Sequence, residues 1–431
     1  MHGKSDKAFL LFLAGQGILN LGESIRFIAV TVLIYKLTGS GLSAAAGAAT
    51  AALPSIIGSP FSGVLGDRAN ESRILILIDI LRFFTVPLFL YAHRVSFIYL
   101  ILIVISVLDV IYGPSRKKFV LALTGKNKAI EANSRLVGVS GAAYLAGPML
   151  AGILTDIHGP APVITAAALC CLISCGMTIM TVITSRNGSK KCWSGQAADY
   201  RPVGANDRGS GGACAKRSIG GKRETYLKQL MGGINYSKRT PFIGELLAIG
   251  LITGFCAISI NLSFYPYAFD VLAVTAKGWS LMITIYYGTN LLAMLLVGYL
   301  EGRNKKNGRV MAAGGLFYFC LALMAVIWFQ YAYVRSYPAV LLLQFTEGTA
   351  AAVCGILLAA RYQKLTDNRF MARVSGIGDI FGSLGRLAGM GCTAMITKCF
   401  RFGDVFTVNG ILLLLFVLVS LTRSVWLRGD Q

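Results

Sequence analysis

Apolar residues in this chain come in long blocks, and polar residues collect in the short stretches between them. A helix needs about 20 mostly apolar residues to cross the hydrocarbon core of a bilayer. Blocks of that order fall at 8–36, 40–66, 74–92, 95–117, 131–156 and 160–184, then at 241–268, 274–300, 310–332, 336–361, 371–397 and 402–423. Twelve such blocks predict an all-α membrane protein with twelve transmembrane helices. The roughly ten-residue alternating strands of a membrane β-barrel do not fit them. Several blocks exceed a straight crossing, which tilt or a short cytosolic extension accommodates.

The one long polar interval, 185–240, divides the blocks into two sets of six. Residues 1–184 are read as an N-terminal bundle, 185–240 as a cytoplasmic linker and 241–431 as a C-terminal bundle. The middle of the linker is rich in Gly, Ser and Ala and cannot bury a core, so disorder is expected there. Near 223–238, Tyr226, Leu227, Leu230 and Ile234 recur at helical spacing among Lys and Arg, which predicts a short amphipathic surface helix. The two sets echo one another. Gly63 to Arg68 follows the second block and Gly298 to Arg303 the eighth, Arg116 ends the fourth as Arg361 ends the tenth, and blocks five and eleven are both glycine-rich. The echoes predict two pseudo-symmetric six-helix bundles related about an axis along the membrane normal.

Composition agrees with this picture. Of 431 residues, 55% are hydrophobic and 14% charged, against about 25% charged in a soluble domain. A net charge of +22 would suit a nucleic-acid binder, but its distribution assigns it to topology. With an inside start, 31 Lys and Arg fall in inside segments and 6 in outside turns, the bias that retains loops in the cytosol. Both termini are therefore expected in the cytoplasm of a multi-pass protein of the cell membrane. Its partners would be the lipid bilayer and a small molecule, with no nucleic acid. Met1 to Lys7 is short and basic, and no small-residue cleavage site follows the first block, so that block reads as a retained helix. The ten cysteines show no metal spacing and read as small hydrophobes. No metal, no cofactor and no catalytic residue are expected. The chain reads as a monomer and not as an enzyme.

The charges inside the blocks carry the chemistry. Glu23 falls at the centre of the first block, with Arg26 one turn on. Asp109 and Glu347 lie mid-block in the fourth and tenth, and Asp379 and Arg386 lie seven apart in the eleventh. Each would cost about 2.5–3.5 kcal/mol facing lipid, so they must face one another or a wet cavity. We read Glu23, Arg26, Asp109, Glu347, Asp379 and Arg386 as coupling and substrate-cavity residues. Asp79 and Arg82 share a helix face near the cytosolic edge. No histidine lies in a block, so a proton relay would have to use carboxylates. Tyr286 and Tyr287 could line a cavity, whereas Trp279 and Tyr267 suit an interfacial belt. No phosphate-binding loop points to ATP.

Several motifs together resemble the major facilitator superfamily, over nearly the whole chain outside 190–218. Within it, they are most similar to the macrolide-efflux and enterobactin-exporter branch of drug/proton antiporters. Leu21-Gly22-Glu23 and Leu37-Thr38-Gly39-Ser40 look like elements of that branch. Gly63 to Arg73 resembles the signature between the second and third helices, with Glu71 and Ser72 where a basic run usually begins. Gly113-Pro114-Ser115-Arg116, Ala132-Asn133, Asp79 and Arg82 also match the branch. Gly147-Pro148-Met149-Leu150-Ala151-Gly152 resembles the antiporter motif, with Ala151 in place of a usual Gly. The resemblance implies a cytoplasmic gate built from Gly63, Asp67, Arg68, Arg73, Asp79, Arg82, Gly298 and Arg303, and a cavity seal at Gly147, Pro148 and Gly152. It implies export of an amphipathic, drug- or macrolide-like molecule by proton antiport with alternating access. Siderophore or lysophospholipid transport is the alternative within the fold, and a non-transporting membrane sensor the alternative outside it.

Overall fold

The computed structural model describes residues 2–58, 71–125, 129–186, 241–306, 313–365, 371–399 and 402–423. Among them lie twelve α-helices. The first six are α1 (His2–Thr38), α2 (Gly41–Gly58), α3 (Glu71–Thr85), α4 (Val95–Thr124), α5 (Ala129–His158) and α6 (Pro160–Arg186). The second six are α7 (Pro241–Pro266), α8 (Ala276–Lys306), α9 (Ala313–Tyr331), α10 (Tyr337–Leu365), α11 (Met371–Cys399) and α12 (Phe402–Arg423). Ten of these helices are long and apolar enough to cross a bilayer. The apolar part of α9 is shorter, running over Gly315–Tyr331, and α11 carries Asp379 and Arg386. The protein is a multi-pass membrane protein, and the twelve helices among its described residues form two six-helix bundles.

Two predicted spans are modified by proline. The third winds into a 3-10 turn over Val86–Tyr91, because Pro87 removes a backbone donor and favours a tighter turn. The seventh ends in a π turn over Tyr267–Val271, directly after Pro266. The fourth runs seven residues past its predicted end at 117, to Thr124, and stops at Gly125. That glycine has φ 73 and donates its N–H to Leu121 O at 2.9 Å, a left-handed helix stop. Residues 187–240, which hold the predicted linker and amphipathic helix, lie outside the described residues.

The two halves pack alike. α1 lies against α5 and α6, as α7 lies against α11 and α12; α3 bridges α4 and α6, as α9 bridges α10 and α12; α2 pairs with α4, as α8 pairs with α10. Between the halves, α5 runs along α8, and α2 touches α7 and α11. Glycine sets the α7–α11 spacing. A Cβ at Gly385 would lie 2.2 Å from Leu251 O, at Gly389 2.4 Å from Phe255 O, and at Gly254 2.6 Å from Gly382 O. Small residues let backbones meet where hydrophobic burial cannot drive association between helices. Outward faces carry Leu77, Leu172, Leu292, Leu342 and Leu415, all exposed, as a lipid-contacting surface requires. Cys170, Cys171, Cys175, Cys256, Cys320, Cys354 and Cys392 are free and buried or half-buried.

Candidate functional site

The first half gathers its deep charges around one guanidinium. Arg82, on α3, is 4% exposed and stands 3.2 Å from Glu23 on α1 and 3.7 Å from Asp79 one turn earlier on α3. Its Nη2 donates to Asp109 of α4. Its guanidinium carbon lies 4.3 Å from the ring centre of Tyr112, three residues beyond Asp109 on the same face of α4. Gln16, two turns before Glu23, donates to the Tyr112 hydroxyl at 2.6 Å. Ser174 of α6 donates to Asp79 at 3.3 Å. Four helices therefore converge on Arg82.

Three features make this cluster more than a neutral strut. Three carboxylates contact a single cation. Arg26 lines the same small cavity, and Arg116 acts on Glu23 through space, but neither forms an ion pair with the three carboxylates. The cluster is also sealed on one side and open on the other: Asp79 is 0% exposed, whereas Glu23 and Asp109 are 23% and 38% exposed. Hydrogen bonding is incomplete as well: Arg82 Nε makes no hydrogen bond, and Arg82 Nη1 and Asp79 Oδ1 make only ion-pair contacts. The adjoining cavity of about 10 Å³, bounded by Gly22, Glu23, Arg26, Arg82 and Cys171, has room for about one water.

The other expected residues distribute differently. Glu23 pairs with Arg82 and not with Arg26. Asp79 and Arg82, grouped by sequence with the 63–73 gate, instead join Glu23 and Asp109. Glu347 of α10 is buried away from this cluster and accepts from Trp328 Nε1 at 2.6 Å and the Tyr331 hydroxyl at 2.8 Å, both on α9. Asp379 is exposed on α11, and Arg386 donates to Ser383 at 2.9 Å. Arg73 is exposed in the first turn of α3. Gly63, Asp67 and Arg68 lie outside the described residues, and Gly298 and Arg303 are placed only as part of helix α8.

The glycines of α5 mark helix contacts. A Cβ at Gly147 would lie 2.6 Å from Ser24 Cβ on α1, and one at Gly152 would lie 1.9 Å from Ser280 Oγ on α8. Pro148, between them, is buried. Between the halves, the ring centres of Tyr144 on α5 and Tyr287 on α8 are 6.5 Å apart, and Tyr286 meets Tyr287 edge-on at 5.3 Å. Tyr144 and Tyr287 are 43% and 48% exposed, and Tyr144 lies within electrostatic reach of Glu23 and Asp109. Half-exposed tyrosines from the two halves thus stand side by side. The spacing of Gln16 to Glu23 and of Asp109 to Tyr112 marks shared helix faces, but sequence alone does not show that these faces meet at Arg82.

Comparison with known proteins agrees with this architecture. The sequence model described as Major Facilitator Superfamily matches residues 12–390. An uncharacterised MFS-type transporter of Bacillus subtilis (strain 168), YfiS, is 28% identical over 152 residues, 35% of this chain and 36% of that protein. The match thus spans about a third of that relative's length. Among solved structures, the nucleoside transporter NupG superposes with a TM-score of 0.68 at 10% identity, covering 97% of this chain and 100% of that one. The POT family transporter PepTSo gives 0.66 at 11% identity, covering 99% and 98%. TM-scores of this size establish a common fold, and at these identities the likeness shows the fold alone.

Proposed function

The chain belongs to the Major Facilitator Superfamily, and we propose that it is a proton-coupled secondary transporter that exports an amphipathic small molecule across the cell membrane. One observation carries the coupling: three carboxylates surround Arg82, and two of them, Glu23 and Asp109, are partly exposed. With all four groups ionised the contact shell holds one positive and three negative charges, a balance a proton or a cationic ligand improves. Protonating Glu23 or Asp109 would release one arm of Arg82 toward the others. The carboxylates that Arg82 contacts come from α1, α3 and α4, so proton occupancy biases how these helices sit. A ligand shifts a two-state equilibrium by its differential affinity for the two states, and this cluster can supply that difference.

The exposed pair Tyr144 and Tyr287 supports an amphipathic substrate. Aromatic faces from both halves accept apolar rings and attract cations, while the adjoining carboxylates accept positive charge. The test is purified protein in liposomes under an imposed pH gradient, screened with macrolides, lipophilic cations, siderophores, lysolipids, nucleosides and short peptides. Uphill movement of an amphipathic compound, with proton flux in the opposite direction, is the expected result. Accumulation of another class on the panel would change the substrate, and absence of any solute movement would favour a sensor.

A further inference from the structure

At the end of the molecule farthest from the chain start, each half caps a helix of the other. Asp156, in the last turn of α5, accepts from the first backbone N–H groups of α8: Ala276 N to Oδ1 at 3.0 Å and Lys277 N to Oδ2 at 3.1 Å. Asp270, in the π turn after α7, accepts from Gly41 N, the first residue of α2, with both oxygens at 2.9 and 3.0 Å. α2 and α5 belong to the first half, α7 and α8 to the second. A carboxylate on first-turn amides satisfies donors that have no partner within their own helix and meets the positive end of the helix dipole.

Each cap adjoins a glycine contact between the halves. A Cβ at Gly41 would lie 2.4 Å from Pro266 Cα, and the Gly152 contact with Ser280 lies one turn from Asp156. Tyr35 stacks on Phe269 at 4.6 Å and donates its hydroxyl to Phe269 O at 3.2 Å. The segment that presents Asp270 continues through Ala273, whose φ of 49 is the one positive value at a non-glycine among the described residues. That left-handed conformation is costly for an alanine, so the surrounding contacts must hold it.

We propose that Asp156 and Asp270 form a reciprocal pair of helix-capping latches that hold this end of the protein closed and release together when it opens. Rocking of one half against the other separates α5 from α8 and the end of α7 from α2 in a single motion. Neither cap can then open by that motion without the other. The inference goes beyond transport itself and needs neither a known substrate nor a known ion. Naming this end as outer rests on the topology proposed from charge.

Hydrogen–deuterium exchange of the full-length protein, read by mass spectrometry, tests it. Asp156→Ala should speed exchange by about tenfold, the scale of a lost cap, in peptides covering 273–282. It should also speed exchange in peptides covering 37–46, whose own cap is untouched. Asp270→Ala should do the converse. Peptides covering 250–258, in the α7–α11 contact, should not change and report an intact fold. A rise confined to the mutated cap, or no rise at all, overturns the proposal. If either alanine variant fails to fold, Asp156→Asn and Asp270→Asn, which keep an oxygen acceptor and remove the charge, are read by the same cross-latch criterion.

Discussion

Arg82 on α3 and Glu23 on α1 stand 3.2 Å apart, an ion pair that ties the first helix to the third inside one half of the protein. Glu23, like Asp109, is also partly exposed. If it exchanges a proton, Glu23→Gln should still fold and still exchange substrate down its gradient, yet no longer accumulate substrate against one. Counterflow and pH-driven uptake on the same liposomes measure the two separately. Uphill transport at the parent rate would remove Glu23 from coupling and leave Asp109 as the next group to test.

Arg82 itself should matter first to stability. Among the described residues it is the one cation in contact with Glu23, Asp79 and Asp109. Removing one partner of a buried ion pair costs about 3–5 kcal/mol, because the remaining charge is left uncompensated. Arg82→Ala should therefore lower the thermal midpoint in detergent sharply. Arg82→Lys should recover only part of it, since an ammonium lacks the planar fork that contacts several carboxylates at once. An Arg82→Ala protein as stable as the parent would mean that the cluster does not depend on its cation.

Much of the fold was legible because a bilayer imposes a simple rule. Long apolar blocks must be helices, and the ends of most predicted spans lie within a few residues of the observed ones. Pro87 and Pro266 changed the winding where backbone donors were lost or redirected, which block length does not reveal. The charge cluster was legible in part. Burial cost alone says that Glu23 and Asp109 need partners, but helical spacing points only to near neighbours such as Arg26. Shared packing of α1 and α3 against α4 and α6 brings Arg82 to Glu23 instead. Asp156 and Asp270 sit at helix ends among ordinary turn residues. Only the meeting of the two halves gives them a function.

Glu347 should behave as a packing residue. It accepts from Trp328 and Tyr331. Glutamine at this position would present an amide N–H₂ to one of those donors, leaving it unsatisfied at a cost of about 1–3 kcal/mol. Glu347→Gln is expected to lower stability while pH-driven accumulation, normalised to folded protein, stays near that of the parent. Loss of accumulation with unchanged stability would instead put Glu347 in the coupling path.

The α7–α11 contact offers a purely steric test. A side chain at Gly385 starts with its Cβ 2.2 Å from Leu251 O, a backbone atom that cannot turn aside. Gly385→Val should push the helices apart and cost about 1–3 kcal/mol, the usual range for overpacking. Gly391→Val is the matched control on the same helix, because a Cβ there meets nothing within 4 Å. Equal thermal midpoints for the two variants would show that the contact is looser than its geometry.

Topology decides which face of the membrane the latched end occupies. Lys36, Arg94, Lys277 and Arg335 lie at the turns on that end, and the basic excess lies at the other. Positive charge resists translocation, and the bias is counted in short loops near the helix ends, where this chain places most of it. The latched end should then face outward, with the termini and residues 185–240 in the cytosol. Alkaline phosphatase is active only outside the cytosol, so a fusion truncated after Lys277 should be active and one after Gln431 inactive. Because the two junctions are read against each other, poor expression of one cannot imitate the reverse result. The expected pattern would make the closed end extracytoplasmic, as an inward-facing stage of alternating access requires. The opposite pattern would invert the charge argument and turn Asp156 and Asp270 into latches of a cytosolic gate, with their geometry unchanged.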